Sequence, residues 1–187
     1  ESLTRLYLNN NKIRDAGLSN LSRLTNLQYL YLNNNQITDI SDLSRLESLT
    51  RLYLNNNKIT DRGLSNFPNL TKLQYLYLKY NQITEIPNLS RLESLTYLTL
   101  NYNQITDISA LSNLTSLTRL YLEDNQITDI SALSNLINLQ YLYLDDNQIT
   151  DAGLSNLSNL TSLNVLYLDD NQITDAGLSN LSNLTSL

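Results

Sequence analysis

Hydrophobic residues recur along the chain in one fixed pattern, Leu-x-x-Leu-x-Leu-x-x-Asn-x-Ile, which appears eight times without a failure. Successive copies start 22 or 24 residues apart, and the last copy starts 24 residues before Leu187. The alternation within Leu-x-Leu predicts a short strand with its leucines on the buried face. Because no copy can bury its leucines alone, the pattern predicts that all copies stack into a solenoid. The copies start at Leu3, Leu27, Leu49, Leu73, Leu95, Leu117, Leu139 and Leu163.

The repeat resembles the leucine-rich-repeat family, and its 22-residue copies resemble those of bacterial internalins, as in residues 103–117, NQITDISALSNLTSL. The resemblance implies an α/β-type repeat solenoid, a horseshoe with a parallel β-sheet on its concave side and short turns or 3-10 segments on its convex side. We expect one array of eight repeats over residues 1–187. Internalins have an N-terminal helical cap and an immunoglobulin-like C-terminal flank, and neither cap is expected here.

An asparagine follows the strand segment of every copy. By the resemblance, these asparagines form an internal ladder that satisfies backbone groups at the turn. The ladder also makes physical sense, because a buried amide needs partners that a neighbouring turn or an identical amide can supply. The asparagines are Asn11, Asn35, Asn57, Asn81, Asn103, Asn125, Asn147 and Asn171.

The two repeat lengths differ by a dipeptide that contains glycine and follows the Asn-x-Ile segment. Glycine at this point suggests a backbone that turns tightly or takes a positive φ. The four glycines of the chain all lie there, at Gly17, Gly63, Gly153 and Gly177.

The residues between and beside the strand leucines are expected to face solvent on the concave side of the sheet. All 13 tyrosines lie at these positions. Tyrosine interleaved with arginine and asparagine is typical of protein-binding surfaces, so we predict a module that binds a protein or peptide ligand. Because tyrosine also has high strand propensity, the alternative is an engineered or idealised structural scaffold without a natural ligand. The predicted contact residues are Tyr29, Tyr31, Tyr53, Tyr75, Tyr77, Tyr97, Arg119, Tyr121, Tyr141 and Tyr143.

The composition lacks two residue types that are common in active sites. Cysteine and histidine are absent, so we expect no thiolate or histidine catalysis, no classical zinc site, no cofactor and no enzyme activity. All 12 basic residues lie at or before Arg119 with 9 of the acidic residues, and the other 9 acidic residues follow. The acidic pairs at the later strand ends, which begin at Glu123–Asp124, form a solubilising surface. The alternative is a shared hard cation such as calcium, bound by Asp145, Asp146, Asp169 and Asp170.

Charge and end structure give the remaining expectations about partners. The acidic C-terminal half disfavours nucleic acid, and no apolar run approaches the roughly 20 residues that cross a bilayer. The end repeats carry the same leucines as internal ones, so self-association, head to tail through uncapped ends, is expected. A secreted or cell-surface location would follow only from the internalin resemblance.

Overall fold

The computed structural model describes residues 2–185, which form a solenoid around one parallel sheet of eight strands in chain order. Each strand has three residues and comes from the middle of a Leu-x-x-Leu-x-Leu segment. This confirms the predicted leucine-rich-repeat horseshoe. The strands are β1 (Arg5–Tyr7), β2 (Tyr29–Tyr31), β3 (Arg51–Tyr53), β4 (Tyr75–Tyr77), β5 (Tyr97–Thr99), β6 (Arg119–Tyr121), β7 (Tyr141–Tyr143) and β8 (Val165–Tyr167).

The strand register equals the sequence repeat. Leu30 pairs with Leu52, and Tyr31 pairs with Tyr53, so equivalent residues of neighbouring copies lie side by side. Leucines of one motif position therefore stack on one another, and those of the internal copies have no exposed surface or almost none. The whole apolar interior is a single cluster that runs the length of the solenoid.

The asparagine ladder is present, and its partners are backbone groups of the turn. Asn81 is 7% exposed, and its Nδ2 donates to Leu54 O and to Leu78 O, each at 3.0 Å. The N–H of Ile59 donates to Asn81 Oδ1 at 3.0 Å. One amide thus joins its own repeat to the preceding one, as the sequence predicts.

The convex side consists of short helical segments, as expected. Three of the four 24-residue copies contain one turn of α-helix, namely α1 (Asp15–Leu18), α2 (Asp61–Leu64) and α3 (Asp151–Leu154). Such short, Ser- and Asn-rich segments depend on packing against their neighbours, because an isolated helical turn is unstable. The 3-10 segments are Ser19–Leu21, Ser41–Arg45, Ser109–Leu111, Ser131–Leu133, Ser155–Leu157 and Gly177–Leu181.

The aspartate of the Ile-Thr-Asp segment has a different role in each repeat length. In a 22-residue copy, Asp107 Oδ1 accepts the N–H of Ser109 at 2.7 Å and caps its own 3-10 segment. In a 24-residue copy, Asp151 begins α3 and accepts the N–H and hydroxyl of Thr174 in the next copy, at 2.7 and 2.6 Å. The inserted dipeptide therefore replaces a local cap with a contact between repeats.

The prediction of a positive φ at the inserted glycines is wrong, although one glycine does allow a close approach. No glycine of residues 2–185 has a positive φ, and Gly63 lies inside α2. A Cβ on Gly63 would overlap the carbonyl oxygen of Thr38 and lie 2.8 Å from its carbonyl carbon. The left-handed residue of each copy instead precedes the ladder asparagine, at Asn10, Asn34, Asn56, Tyr80, Tyr102, Asp124, Asp146 and Asp170.

The end repeats differ in how well they cover their leucines. Leu3 and Leu178 are exposed, whereas Leu6 and Ile13 are partly buried and Leu184 is buried. Head-to-tail self-association remains a prediction.

Candidate functional site

The predicted contact residues all lie at the first or third position of a strand. One face of the sheet thus carries them, and we call it the tyrosine face. Third-position residues pair with one another across the sheet, as in Tyr7 with Tyr31, and first-position residues do the same, as in Arg51 with Tyr75. The face therefore has two parallel columns of side chains.

The third-position tyrosines stack with their ring planes nearly parallel. Ring centroids are 4.3 Å apart from Tyr7 to Tyr31 and 4.4 Å apart from Tyr53 to Tyr77, with planes inclined by only 13°. The stack resumes at β6, where Tyr121 and Tyr143 are 4.5 Å apart. Offset stacking at these distances stabilises each pair by about 0.5–1.5 kcal/mol beyond area burial.

Thr99 is the one third-position residue that is not tyrosine, and Tyr97 of the same strand replaces the missing ring. The Tyr97 ring lies 5.0 Å from Tyr77 on one side and 5.3 Å from Tyr121 on the other. Thr99 is 6% exposed. One continuous aromatic row therefore crosses the sheet, and we call it the ring row: Tyr7, Tyr31, Tyr53, Tyr77, Tyr97, Tyr121, Tyr143 and Tyr167.

The first-position column consists of arginines and tyrosines, apart from Val165 in β8. The Arg51 guanidinium lies 5.3 Å from the Tyr29 ring centroid and 4.3 Å from that of Tyr75. Arg119 lies 4.6 Å from the Tyr141 ring. These cation–π contacts hold both side chains in place on the surface.

Stacking leaves the internal rings half-buried, while the two end rings of the row, Tyr7 and Tyr167, remain exposed. Burial, followed by contact with the Tyr53 hydroxyl, raises the pKa of Tyr31 to about 12. Burial also raises the pKa of Tyr77 to about 12, and it raises that of Tyr97. The tyrosine face is thus an ordered layer of neutral phenols.

A second row of polar side chains follows the strands and changes character halfway along the sheet. In the N-terminal half, Asn9 Oδ1 accepts the N–H of Asn33 at 2.8 Å, and the pattern continues until Asn55 Oδ1 accepts the N–H of Lys79 at 2.9 Å. After Lys79, the row continues with Asn101, Glu123, Asp145 and Asp169. The side-chain-to-backbone bonding of the first half gives way to acidic residues.

Three buried oxygen atoms at this change have no hydrogen-bond partner: Asn101 Oδ1, Glu123 Oε2 and Asp145 Oδ1. Asn101 is 4% exposed, and its Nδ2 donates to Glu123 Oε1 at 3.0 Å. Burial, and to a smaller extent the charge of Asp145, raises the pKa of Glu123 to about 7. Burial and neighbouring acids also raise the pKa of Asp145. This part of the row lacks hydrogen-bond donors.

Tyr80 and Tyr102 directly follow Lys79 and Asn101 of this row and have left-handed conformations, with φ of 54° and 57°. Asparagine and aspartate tolerate this conformation, but tyrosine has no local bond that favours it, so each costs of order 1 kcal/mol. Their rings stack at 4.3 Å, and Lys79 Nζ lies 4.9 and 4.7 Å from the two centroids. Strain of this kind tends to collect at functional sites.

A cavity of about 300 Å³ opens on the tyrosine face at β4, β5 and β6. Its three tyrosines are among the predicted contact residues, whereas its polar residues are not. Their signal in the sequence is that Thr99, Lys79 and Glu123 each depart from the residue type of the preceding copies. The lining residues are Asn55, Tyr77, Lys79, Tyr97, Thr99, Asn101, Tyr121 and Glu123.

The aspartates considered for calcium lie at the ends of β7 and β8. No group of three or more acidic side chains within residues 2–185 comes close enough to hold a metal ion. Burial, followed by Asp124 and Asp170, raises the pKa of Asp146. The charges of neighbouring aspartates therefore repel those of Asp145 and Asp146.

Family profiles match most of the chain. The profile described as "Leucine Rich repeats (2 copies)" matches residues 1–45, 93–135 and 115–159, and two profiles described as "Leucine rich repeat" match residues 47–105 and 159–182. The chain belongs to the leucine-rich-repeat family. Members of this family are protein-binding repeat modules and typically have no enzyme activity. Among curated proteins, no sequence matches the chain.

Solved structures give the same assignment. Internalin C2 of Listeria monocytogenes is 37% identical with a TM-score of 0.87, over 98% of this chain and 78% of the internalin. The Leptospira interrogans leucine-rich-repeat protein LIC12759 is 29% identical with a TM-score of 0.69, over 97% of this chain and 53% of that protein. The ectodomain of the Arabidopsis thaliana receptor kinase GASSHO1/SCHENGEN3 shares the fold. It is 24% identical with a TM-score of 0.72, over 97% of this chain and 26% of the ectodomain. Helices long and apolar enough to cross a bilayer do not occur in residues 2–185 of this leucine-rich-repeat chain.

Proposed function

We propose that this leucine-rich-repeat chain binds a protein or peptide ligand on the tyrosine face. The observation that carries the proposal is the continuous ring row, flanked by arginines that lie over tyrosine rings at 4.3–4.6 Å. Tyrosine and arginine are the residue types that contribute most binding energy at protein interfaces.

Stacking improves this surface as a binding site. An exposed side chain loses about 0.5–1.5 kcal/mol of conformational entropy when a ligand immobilises it. The inner rings of the row are already fixed between neighbours 4.3–5.3 Å away, so a ligand has little left to order. The hydroxyl groups at the ring edges supply hydrogen bonds, because phenols are protonated at neutral pH.

Selection from a random-peptide display library on the purified protein tests the proposal. Peptides selected on the wild type should lose binding to a triple variant with Tyr75→Ser, Tyr77→Ser and Tyr97→Ser. The matched control is Ile137→Ser, which removes an exposed apolar side chain outside the strands. Circular dichroism must show that both variants keep the solenoid. Peptides that bind the triple variant with unchanged affinity would contradict the proposal.

The same stacking favours one second candidate, a structural scaffold in which the rings only stabilise the array. The near-parallel rings 4.3 Å apart would then stabilise neighbouring repeats and would contact no ligand. Loss of the stacked rings should lower the unfolding temperature of the triple variant under either hypothesis. What distinguishes the scaffold is that no peptide should be selected on the wild type.

A further inference from the structure

Several departures from the repeat meet at one place on the sheet. Stacking imposes the same demands on every internal copy, so packing does not require strands β4 to β6 to differ from the others. Yet the ring row loses its third-position tyrosine only at Thr99, and left-handed tyrosines occur only at Tyr80 and Tyr102 among residues 2–185. The buried, unpartnered oxygens of Asn101 and Glu123 lie in the same region. Departures with no structural cause indicate a binding site.

The chemistry of the cavity selects one kind of ligand. Its unpartnered polar atoms are acceptors, and burying an acceptor without a donor is unfavourable. Rings of Tyr77, Tyr97 and Tyr121 line the same space. Aromatic faces beside a carboxylate are a favourable environment for an organic cation. A volume of about 300 Å³ lies at the lower limit for small-molecule pockets and suits a single side chain.

The cation that already lines the cavity is engaged elsewhere. Lys79 is close enough for its charge to act on Glu123. Its Nζ, however, lies over the rings of Tyr80 and Tyr102, at 4.9 and 4.7 Å. Glu123 Oε2 is left without a hydrogen-bond partner.

We propose that this cavity anchors the ligand of the tyrosine face by taking up one cationic side chain, a lysine ammonium or an arginine guanidinium. The cation donates to Glu123 Oε2 and Asn101 Oδ1, and its alkyl stem packs on Tyr97 and Tyr121. Both oxygens are almost inaccessible to solvent, so the long Glu123 side chain changes rotamer as the cation enters. This inference rests on the proposed function, since it names the chemistry of the ligand's central contact.

A larger surface cavity of about 510 Å³ lacks the features of a cation-binding site. Exposed residues such as Arg45, Glu47 and Lys72 line it, and it contains none of the buried, unpartnered oxygens. Water and salt can satisfy such groups.

The first test uses n-butylammonium and methylguanidinium as probes, with n-butanol as the neutral counterpart, followed by NMR of the tyrosine rings at pH 8. We expect saturable shifts at Tyr97 and Tyr121 with both cations and none with n-butanol. Glu123→Gln and Thr99→Tyr, which fills the cavity with the residue of the other copies, should each weaken binding about 10-fold or more. Asp169→Asn is the matched control, because it removes a charge from the same row two strands away. An equal loss in Asp169→Asn, or no saturable binding, would overturn the proposal.

The second test compares the peptides selected on the wild type with those selected on Glu123→Gln. Peptides selected on the wild type should be enriched in lysine or arginine at one position. Peptides selected on Glu123→Gln should show no such enrichment. Some selected peptides could lack a basic residue and still lose binding to the triple tyrosine variant. Such peptides would refute the cationic anchor and leave the proposed function intact. Failure to select any peptide would instead count against the proposed function, and the small-cation titration would still decide the anchor.

Discussion

Replacing Asn81 with alanine tests whether the asparagine ladder joins the repeats. The side chain makes three bonds at 3.0 Å, to Leu54 O, to Leu78 O and from the Ile59 N–H. Each carbonyl also accepts from a second ladder asparagine, Leu54 O from Asn57 at 3.1 Å and Leu78 O from Asn103 at 3.1 Å. Both carbonyls therefore keep a partner in the variant, whereas the N–H of Ile59 loses the one it has.

The expected loss follows from this difference. An orphaned buried N–H costs about 1–3 kcal/mol, and each of the two lost bonds to carbonyls contributes about 0.5–1.5 kcal/mol. The free energy of unfolding should fall by about 2–6 kcal/mol in Asn81→Ala. It should fall by less than about 1 kcal/mol in Asn11→Ala, because this exposed asparagine donates only to Leu8 O and Asn9 O.

Urea unfolding followed by circular dichroism measures both values. Gln82→Ala provides a control in the same internal repeat as Asn81, since its side chain is exposed, and the change should stay within about 0.5 kcal/mol. A loss below about 1 kcal/mol in Asn81→Ala, or an equal loss in Asn11→Ala, would refute the reasoning.

Three further predictions concern other features of the fold. Gly63→Ala should lower the free energy of unfolding by about 1–3 kcal/mol, because the added Cβ would overlap backbone of the preceding copy. Gly17→Ala should raise it by about 0.5–1 kcal/mol, because the added Cβ would contact only a side-chain carbon at 3.5 Å. Chemical unfolding measures both. The pKa of Glu123 is raised to about 7 in the folded chain, against an ordinary value of 4.5. The folded state therefore favours the neutral carboxyl group, and it loses stability as rising pH ionises that group. The melting temperature should fall between pH 5 and 8. Glu123→Gln should flatten that slope, and a wild-type melting temperature constant over this range would contradict the assignment. In ultraviolet titration, Tyr31 and Tyr77 should ionise near pH 12, and a single transition of all tyrosines near pH 10 would show that the rings are not stacked in solution.

The fold was predictable because its cause is local and repeated. Leucine and asparagine recur at fixed offsets, and the strand register is the repeat length itself, as in Leu30 opposite Leu52. The position of the left-handed residue was not predicted from glycine. The structure places it at asparagine and aspartate, whose side chains tolerate that conformation, and at Tyr80 and Tyr102.

The candidate site was predictable only in outline. Alternation along the strands places the tyrosines on one face, but it does not specify rotamers. Tyr97 joins the ring row only because Thr99 leaves a space between Tyr77 and Tyr121. The cavity with Glu123 depends on three neighbouring copies at once, and the pattern of a single copy contains no information about it.

The ring row also makes the molecule a reporter of its own folding. The chain has no tryptophan, so its fluorescence comes from tyrosine alone. Chromophores 4.3–4.7 Å apart and nearly parallel couple through their transition dipoles, and excitation passes from ring to ring along the stack. Emission from the folded array should therefore be strongly depolarised, and its near-ultraviolet circular dichroism should be intense. Both signals should change when a single repeat separates from its neighbours, so that local opening becomes visible without any attached label.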